Sequence, residues 1–469
     1  MNRRDFLRAA AGAAVVSGLS GSSAVLRSTS ALADQTQPSA PSEIPRFGDA
    51  RDWFFQKRFG LFVHWGLYSI AAWHEQYQWR MRVPRAQYAK LREQWNPIRF
   101  DPEHWLDLLQ SVGMKYICLT TKHHDGFCLW DTKLTDYNTM NTPYGKDVLK
   151  MLADACHRRD IPLCLYYSCV DWHQKNYPNQ GRSHELPPQP GDEPDLAKYL
   201  EFVKGQVREL CTNYGPIHGF WWDMNVDKHH DPSINDMIRK LQPAAVINNR
   251  GYDAGDFGTP ERDYDSTGEE LLRFNKLTEA NQSVGSESWG YRKDEDYYSD
   301  LHLLRSIDKY LARDANYLLN VGPMADGTIG PDETAILRRI GKWYDAIKGS
   351  VEGVEPCSEL VENRNVLLTR RGNTLYVHLH REPLTEAVKL KPIDIAPVTA
   401  TLLNDGRPVE IAVELLPSEY IDQKKYLRLR KLPVNELADT VMVVKLEFDH
   451  VPETKAAAAS SAASDPRVR

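Results

Sequence analysis

Phe220-Trp221-Trp222-Asp223 puts a carboxylate at the end of an aromatic run, a place suited to a nucleophile or a charge stabiliser beside an apolar surface. If the run is a strand, Trp221 and Asp223 share one face and Trp222 points to the other. A strand-ending Asp equally caps the next turn or helix, so the motif alone leaves both roles open. Lys122-His123-His124-Asp125-Gly126-Phe127 is the second cluster, and its adjacent imidazoles invite a metal reading. Neighbours in an extended segment point apart, however, and the chain carries no HExxH or CxxC motif. The only His-x-His pair, His378 and His380, lies far off in the β-rich C-terminal part. Hydrogen bonding to a substrate is the better role for His123 and His124, and His64 before Trp65-Gly66 is open to the same reading. His229-His230 falls in a polar loop and faces solvent. A third region is acidic: Glu261, Asp263, Asp265, Glu269, Glu270, Glu279 and Glu287. One of these carboxyls would complete a pair with Asp223, as most glycosidases require, but spacing does not select it.

These residues need elements that bring them together. Strand-like runs at 61–64, 116–120, 163–167, 217–222, 245–248 and 317–321 alternate with helical patterns at 101–112, 147–159, 195–214 and 231–241. Asp231-Pro232 opens the last of these as an N-cap followed by Pro at the first helical position. Strand and helix in alternation over about 300 residues predict a parallel sheet, most economically a (β/α)8-like, TIM-type barrel over 49–350. The polar clusters follow the strands' C-terminal ends, where the loops of such a barrel build the active site. From Val366 onward short β runs separated by Arg371-Gly372-Asn373 and Asn404-Asp405-Gly406 predict a C-terminal antiparallel β-sandwich over 351–450. An Ala/Ser-rich tail over 451–469 is expected to be disordered.

Composition narrows the partners. The 469 residues are 42% hydrophobic and 26% charged, an ordinary globular balance, and the formal net charge of −6 argues against nucleic acid as a partner. Arg3-Arg4 before Phe6-Leu7, an apolar run and Ala31-Leu32-Ala33 predict a twin-arginine export signal over 1–33, followed by a Pro/Ser/Gln-rich linker over 34–48. Its removal brings the net charge to about −9. The expectation is a bacterial periplasmic or secreted protein whose mature chain has no membrane span; a homo-oligomer is compatible with all of this. The seven cysteines sit largely in apolar runs and are expected as buried small hydrophobes, with no disulfide assigned.

Five motifs occur in order over residues 50–350. They are Arg58-Phe59-Gly60-Leu61-Phe62-Val63-His64-Trp65-Gly66, Lys122-His123-His124-Asp125-Gly126-Phe127, Trp222-Asp223, Ser288-Trp289-Gly290-Tyr291 and Asn316-Tyr317-Leu318-Leu319-Asn320-Val321-Gly322-Pro323. Together they resemble the α-L-fucosidases of glycoside hydrolase family 29. The resemblance implies a barrel with an appended β-sandwich, a retaining mechanism, a fucosylated glycan as substrate, and neither metal nor other cofactor. It maps the nucleophile onto Asp223 and sugar contacts onto His64, Glu75, His123, His124, Trp221 and Arg250, with a strand tyrosine at Tyr166 or Tyr167. Trp289 is the aromatic expected against the C6 methyl of fucose, and Trp65 is placed beside the same site. The acid/base maps onto Glu279, with Glu287 and Glu261 as the other possibilities. A relative acting on α-L-galactosides and a catalytically weakened glycan-binding member remain as alternative functions. Two departures stand out: Gln76 where many relatives have Trp, and Asp314-Ala315 where Gly-Gly is usual.

Overall fold

Seven parallel strands carry the N-terminal region of the computed structural model. They are β1 (Phe59–Val63), β2 (Tyr116–Lys122), β3 (Leu163–Ser168), β4 (Gly219–Asp223), β5 (Val246–Ile247), β6 (Glu279–Ser283) and β7 (Asn316–Val321). The structure describes residues 44–262, 272–381, 384–421 and 423–451. The export signal at 1–33, most of the linker, most of the tail and the acidic residues Asp263, Asp265, Glu269 and Glu270 lie outside the described residues. Sheet order is β5-β4-β3-β2-β1-β7-β6. The expected eight-strand closure is corrected: the edges β5 and β6 are joined through 257–261 by single parallel bridges, Asn248 with Phe257, Gly258 with Thr278 and Glu261 with Asn281. Pro260 within that strip has no N–H to give a ladder, which helps keep it from becoming a regular strand.

Helices cover the outer face. Those at Pro102–Ser111, Val148–Arg158, Leu196–Asn213 and Pro232–Leu241 each start behind an aspartate whose carboxylate accepts a first-turn N–H: Asp101, Asp147, Asp195 and Asp231. Two more, Asp300–Leu311 and Pro331–Ile347, flank β7 in sequence. Alternation along the strands divides the core in two. Leu61, Ile117, Leu165, Phe220 and Leu319 pack outward against helices, whereas Phe62, Cys118, Tyr166, Trp221 and Leu318 fill the interior with Phe54, Phe55 and Tyr116.

Beyond residue 350 the sheets are antiparallel. A five-stranded sheet runs Thr399–Leu402, Val443–Glu447, Thr374–His378, Leu367–Arg371, Glu355–Pro356, and a three-stranded one runs Val388–Lys389, Tyr426–Arg430, Glu410–Glu414. Leu375, Val377, Leu402 and Val444 of the first share one core with Leu427 and Leu429 of the second. This layer is fused to the helical shell. Trp343 Nε1 donates to the Val441 carbonyl at 3.0 Å, and His378 Nδ1 lies 2.6 Å from Asp308 Oδ1, both side chains fully buried. His378 is thereby committed to the interface.

Candidate active site

The strands' C-terminal ends deliver one pocket, lined by Phe62, His64, Glu75, Gln76, His123, His124, Tyr166, His184, Trp221, Asp223, Met224, Arg250, Glu261, Asn281 and Trp289. Asp223 is the last residue of β4 and keeps only 14% of its side chain exposed. Tyr166 OH donates to its Oδ2 at 2.8 Å, and Arg250 Nη1 donates to its Oδ1 at 3.2 Å. His124 Nε2 stands 3.9 Å from Oδ2. Burial pushes the Asp223 carboxyl up, but Arg250, His124 and the tyrosine hydroxyl outweigh it and hold the group below its ordinary range. The carboxylate is ionised at neutral pH.

The imidazoles are held as neutral acceptors. Asn320 Nδ2 donates to the Trp289 carbonyl at 2.7 Å, which fixes its amide so that Oδ1 faces His64 Nδ1, also at 2.7 Å. His64 therefore carries its proton on Nδ1, leaving Nε2 as the acceptor. Ser168 Oγ donates to the Val170 carbonyl at 2.6 Å and so accepts from His124 Nδ1 at 2.7 Å, giving His124 the same tautomer. Burial lowers both rings to about 4. His123 is lowered further still, by burial and then by its neighbours, and its Nδ1 has no hydrogen-bond partner among the described residues.

His123 and His124 both face the pocket because the register of β2 shifts between Thr120 and Lys122, ending the simple alternation. Their rings lie 4.0 Å apart. The flanking charges anchor the loop: Lys122 Nζ donates to Asp171 Oδ2 at 2.8 Å, and Tyr88 OH donates to Asp125 Oδ2 at 2.9 Å. Gly126 has a φ of +79°, and a Cβ there would collide with Asp171 Oδ1. Glu75 has a comparable supporting contact set. Its Oε2 accepts from Ser288 Oγ at 3.0 Å and Trp289 N at 2.9 Å, fastening the Trp289 loop to the loop after β1. Trp289 stacks at a tilt on His64 with centroids 5.3 Å apart, and Phe62 lies 6.3 Å from it.

Three expected placements are corrected. Tyr167 points outward, its OH donating to Gln206 Oε1 at 2.6 Å, because one step along β3 reverses the face. Trp65 packs into the shell against Trp95, Phe100 and Trp105. Glu279 is not brought into the pocket. It is the first residue of β6, paired in register with Asn316 at the start of β7, and lies at the barrel floor. Tyr116 OH donates to its Oε2 at 2.5 Å and Trp221 Nε1 to its Oε1 at 3.0 Å. Four residues of strand, roughly 13 Å, lie between it and the end of β6. Glu287 does not line the pocket either. Glu261 does: its Oε2 forms an ion pair with Arg250 Nη2 at 3.0 Å, so one guanidinium bridges Glu261 and Asp223.

His184, Gln76, Met224, Asn281 and Phe62 line the pocket without having been singled out from the sequence. His184 reaches it from the long 169–195 loop with a φ of +63°, stacked on Trp79 at 4.8 Å. Phe62 was open to inference from alternation along β1; no local pattern marks the others. Asp314, at the position where Gly-Gly is usual, adopts a φ of +73° and pairs with Arg58 and Arg273.

A parallel α/β core presenting buried carboxylates, neutral imidazoles and aromatic rings at its strand ends is the apparatus of a glycoside hydrolase. The family model described as Alpha-L-fucosidase matches residues 26–348, and the chain belongs to that family, the α-L-fucosidases of glycoside hydrolase family 29. The tissue α-L-fucosidase of Homo sapiens is 26% identical over 427 residues, covering 84% of this chain and 88% of that protein. α-L-Fucosidase isoenzyme 1 from Paenibacillus thiaminolyticus superposes with a TM-score of 0.74 at 32% identity, covering 86% of this chain and 100% of the other. An α-L-fucosidase of Bacteroides thetaiotaomicron, solved as a trapped covalent intermediate in complex with 2-fluoro-fucosyl fluoride, gives 0.71 at 27% identity over 87% of this chain and 98% of that one.

Proposed function

We propose that this protein hydrolyses terminal α-L-fucosyl residues of glycans with retention of anomeric configuration, Asp223 acting as nucleophile and Glu261 as acid/base. The observation that carries the reading is the doubly donated, ionised Asp223 carboxylate at the end of β4, facing Glu261 across Arg250. A covalent intermediate trapped in the Bacteroides relative supports the two-step route. In the first step an Asp223 oxygen bonds to the anomeric carbon as the glycosidic C–O bond breaks, and Glu261 gives its proton to the leaving oxygen. In the second, Glu261 takes a proton from water, whose oxygen bonds to the anomeric carbon and releases Asp223. Glu261 keeps 35% of its side chain exposed, so the attacking water can reach it once the leaving group has departed. His64 Nε2 and His124 Nε2 accept from sugar hydroxyls. The apolar wall of Phe62 and Trp289 favours a C6 methyl over the hydroxymethyl of an α-L-galactoside.

The test is aryl α-L-fucoside hydrolysis by Asp223→Gly and Glu261→Ala with and without azide. Rescue of the first with β-fucosyl azide as product, and of the second with the α anomer, is the expected pair. Full activity of Glu261→Ala on a substrate with a poor leaving group overturns its assignment. Export through the twin-arginine route belongs to the same proposal, on Arg3-Arg4 and Ala31-Leu32-Ala33. An Arg3→Lys/Arg4→Lys double variant retained in the cytoplasm supports it, and unchanged export refutes it. The barrel at 49–350 and the sandwich at 351–450 are read as the two domains of the exported chain.

A further inference from the structure

At the barrel floor a carboxyl the reaction does not use is wired to the ring on which the catalytic donors rest. Trp221 lies parallel to Tyr166, with centroids 5.7 Å apart and planes at 16°, and the Arg250 guanidinium sits over the Trp221 ring at 4.7 Å. These are the two groups that donate to Asp223. The underside of the same indole is tied by its only polar atom, Nε1, to Glu279. Around Glu279 the surroundings are apolar or weakly polar: Phe54, Cys118, Cys164, Phe257 and Leu318 enclose it in a small cavity. Among the described residues no charged group pairs with it, and Tyr116 is its other hydrogen-bond partner.

We infer that Glu279 is a positioning residue: through Trp221 it fixes the platform that holds Tyr166 and Arg250 on the Asp223 carboxylate. The inference rests on Asp223 being the nucleophile. Its chemistry explains the choice of partners. An indole N–H only donates, so Glu279 must present an acceptor to Trp221 in every protonation state. A tyrosine hydroxyl donates or accepts, so Tyr116 gives its hydrogen to the carboxylate and takes one from the neutral acid. The grip on Trp221 thus survives protonation of Glu279, and a glutamine reproduces it, with its carbonyl toward Trp221 and its amide N–H toward Tyr116.

That symmetry supplies the test. The variants are Glu279→Gln, Glu279→Ala, Trp221→Phe and the double Trp221→Phe/Glu279→Ala, assayed on aryl α-L-fucosides of good and poor leaving ability across pH. Glu279→Gln is expected within about threefold of wild type in kcat/KM. Glu279→Ala and Trp221→Phe should each lose about tenfold or more, mainly in kcat and equally for both leaving groups. Both should move the acid limb of kcat/KM to higher pH, because Asp223 then meets Arg250, Tyr166 and His124 less well while His184 and Glu261 remain beside it. The double variant should be no worse than the worse single one. Losses in the two singles that multiply in the double overturn the inference. So does a Glu279→Gln as damaged as Glu279→Ala, and a loss confined to poor leaving groups would instead mark Glu279 as the acid. If Glu279→Ala does not fold, Glu279→Gln and Trp221→Phe still decide: an unshifted acid limb in Trp221→Phe refutes the linkage. Absence of azide rescue in Asp223→Gly identifies failure of the underlying assignment separately.

Discussion

The mouth and the floor of this barrel each hold a largely buried carboxyl with two side-chain donors, and the two shift in opposite directions. Asp223 at the mouth accepts from Tyr166 and Arg250 and is held below its ordinary range. Glu279 at the floor accepts from Tyr116 and Trp221, yet burial carries it up to about 7 against the lowering effect of both bonds. The number of hydrogen bonds is the same. What differs is a full positive charge at the mouth, since two neutral donors do not offset desolvation and a guanidinium beside a carboxylate does. A nucleophile needs the ionised form and a structural acceptor does not, and of these two carboxyls only the one the reaction uses has a charged partner.

Removing the mouth carboxylate breaks the comparison outright. Asp223→Asn should lower kcat by roughly a thousandfold or more, since no group remains to bond to the anomeric carbon. A steady-state assay with an aryl fucoside reads this directly. Next in size is Arg250→Met, which should make the mouth resemble the floor. The Asp223 carboxyl then rises, and because the reaction needs it ionised, the acid limb of kcat/KM moves to higher pH by about one unit or more. A loss near a hundredfold at neutral pH accompanies it, as Glu261 loses the same contact. An unmoved acid limb would show that another group holds Asp223 ionised.

The mouth was far more legible in the sequence than the floor, for a reason visible in β6. Strands β1 to β4 and β7 are apolar runs, so their ends, and the polar residues just beyond, could be placed along the barrel. Glu279-Ala280-Asn281-Gln282-Ser283 is polar at every position but Ala280 yet wholly buried, and nothing in its composition marks it as a strand. Without the strand, the height of Glu279 in the barrel had no scale. Tyr166 and Tyr167 were undecided because parity along β3 can be set only against a neighbour of known face, here Trp221 in register with Tyr166. His184 lies in a loop whose positive φ no residue type announces.

The floor carboxyl also makes a prediction for stability. Glu279 titrates near the ordinary glutamate value of 4.5 when unfolded, and burial raises it to about 7 in the folded protein. Its folded-state pKa is raised, so its contribution is fully present below about pH 4.5 and is lost as pH rises through about 7. Glu279→Gln does not titrate, and so should gain on wild type across that window, by up to about 3 kcal/mol. Thermal melts of the two proteins at pH 4.5, 6 and 8 test this; parallel curves would show that the buried carboxyl does not titrate as described.

The smallest expected effect on activity comes from the outward face of β3 and sharpens the contrast from the other side. Tyr166→Phe removes a donor from Asp223 and should slow turnover by about tenfold while shifting the acid limb upward. Tyr167→Phe removes a hydroxyl one residue away that meets Gln206 of the helical shell and the Lys122 ammonium, which lies 4.2 Å from its ring centre. Phenylalanine keeps the ring beneath that ammonium and leaves the buried Gln206 Oε1 without its donor. The cost is then about 1 to 2 kcal/mol of stability, with kcat/KM and its pH dependence unchanged. Equal kinetic losses in the two variants would mean that β3 does not separate the reaction from the shell by alternation, and the assignment of Tyr166 as the donor to the nucleophile would fail with it.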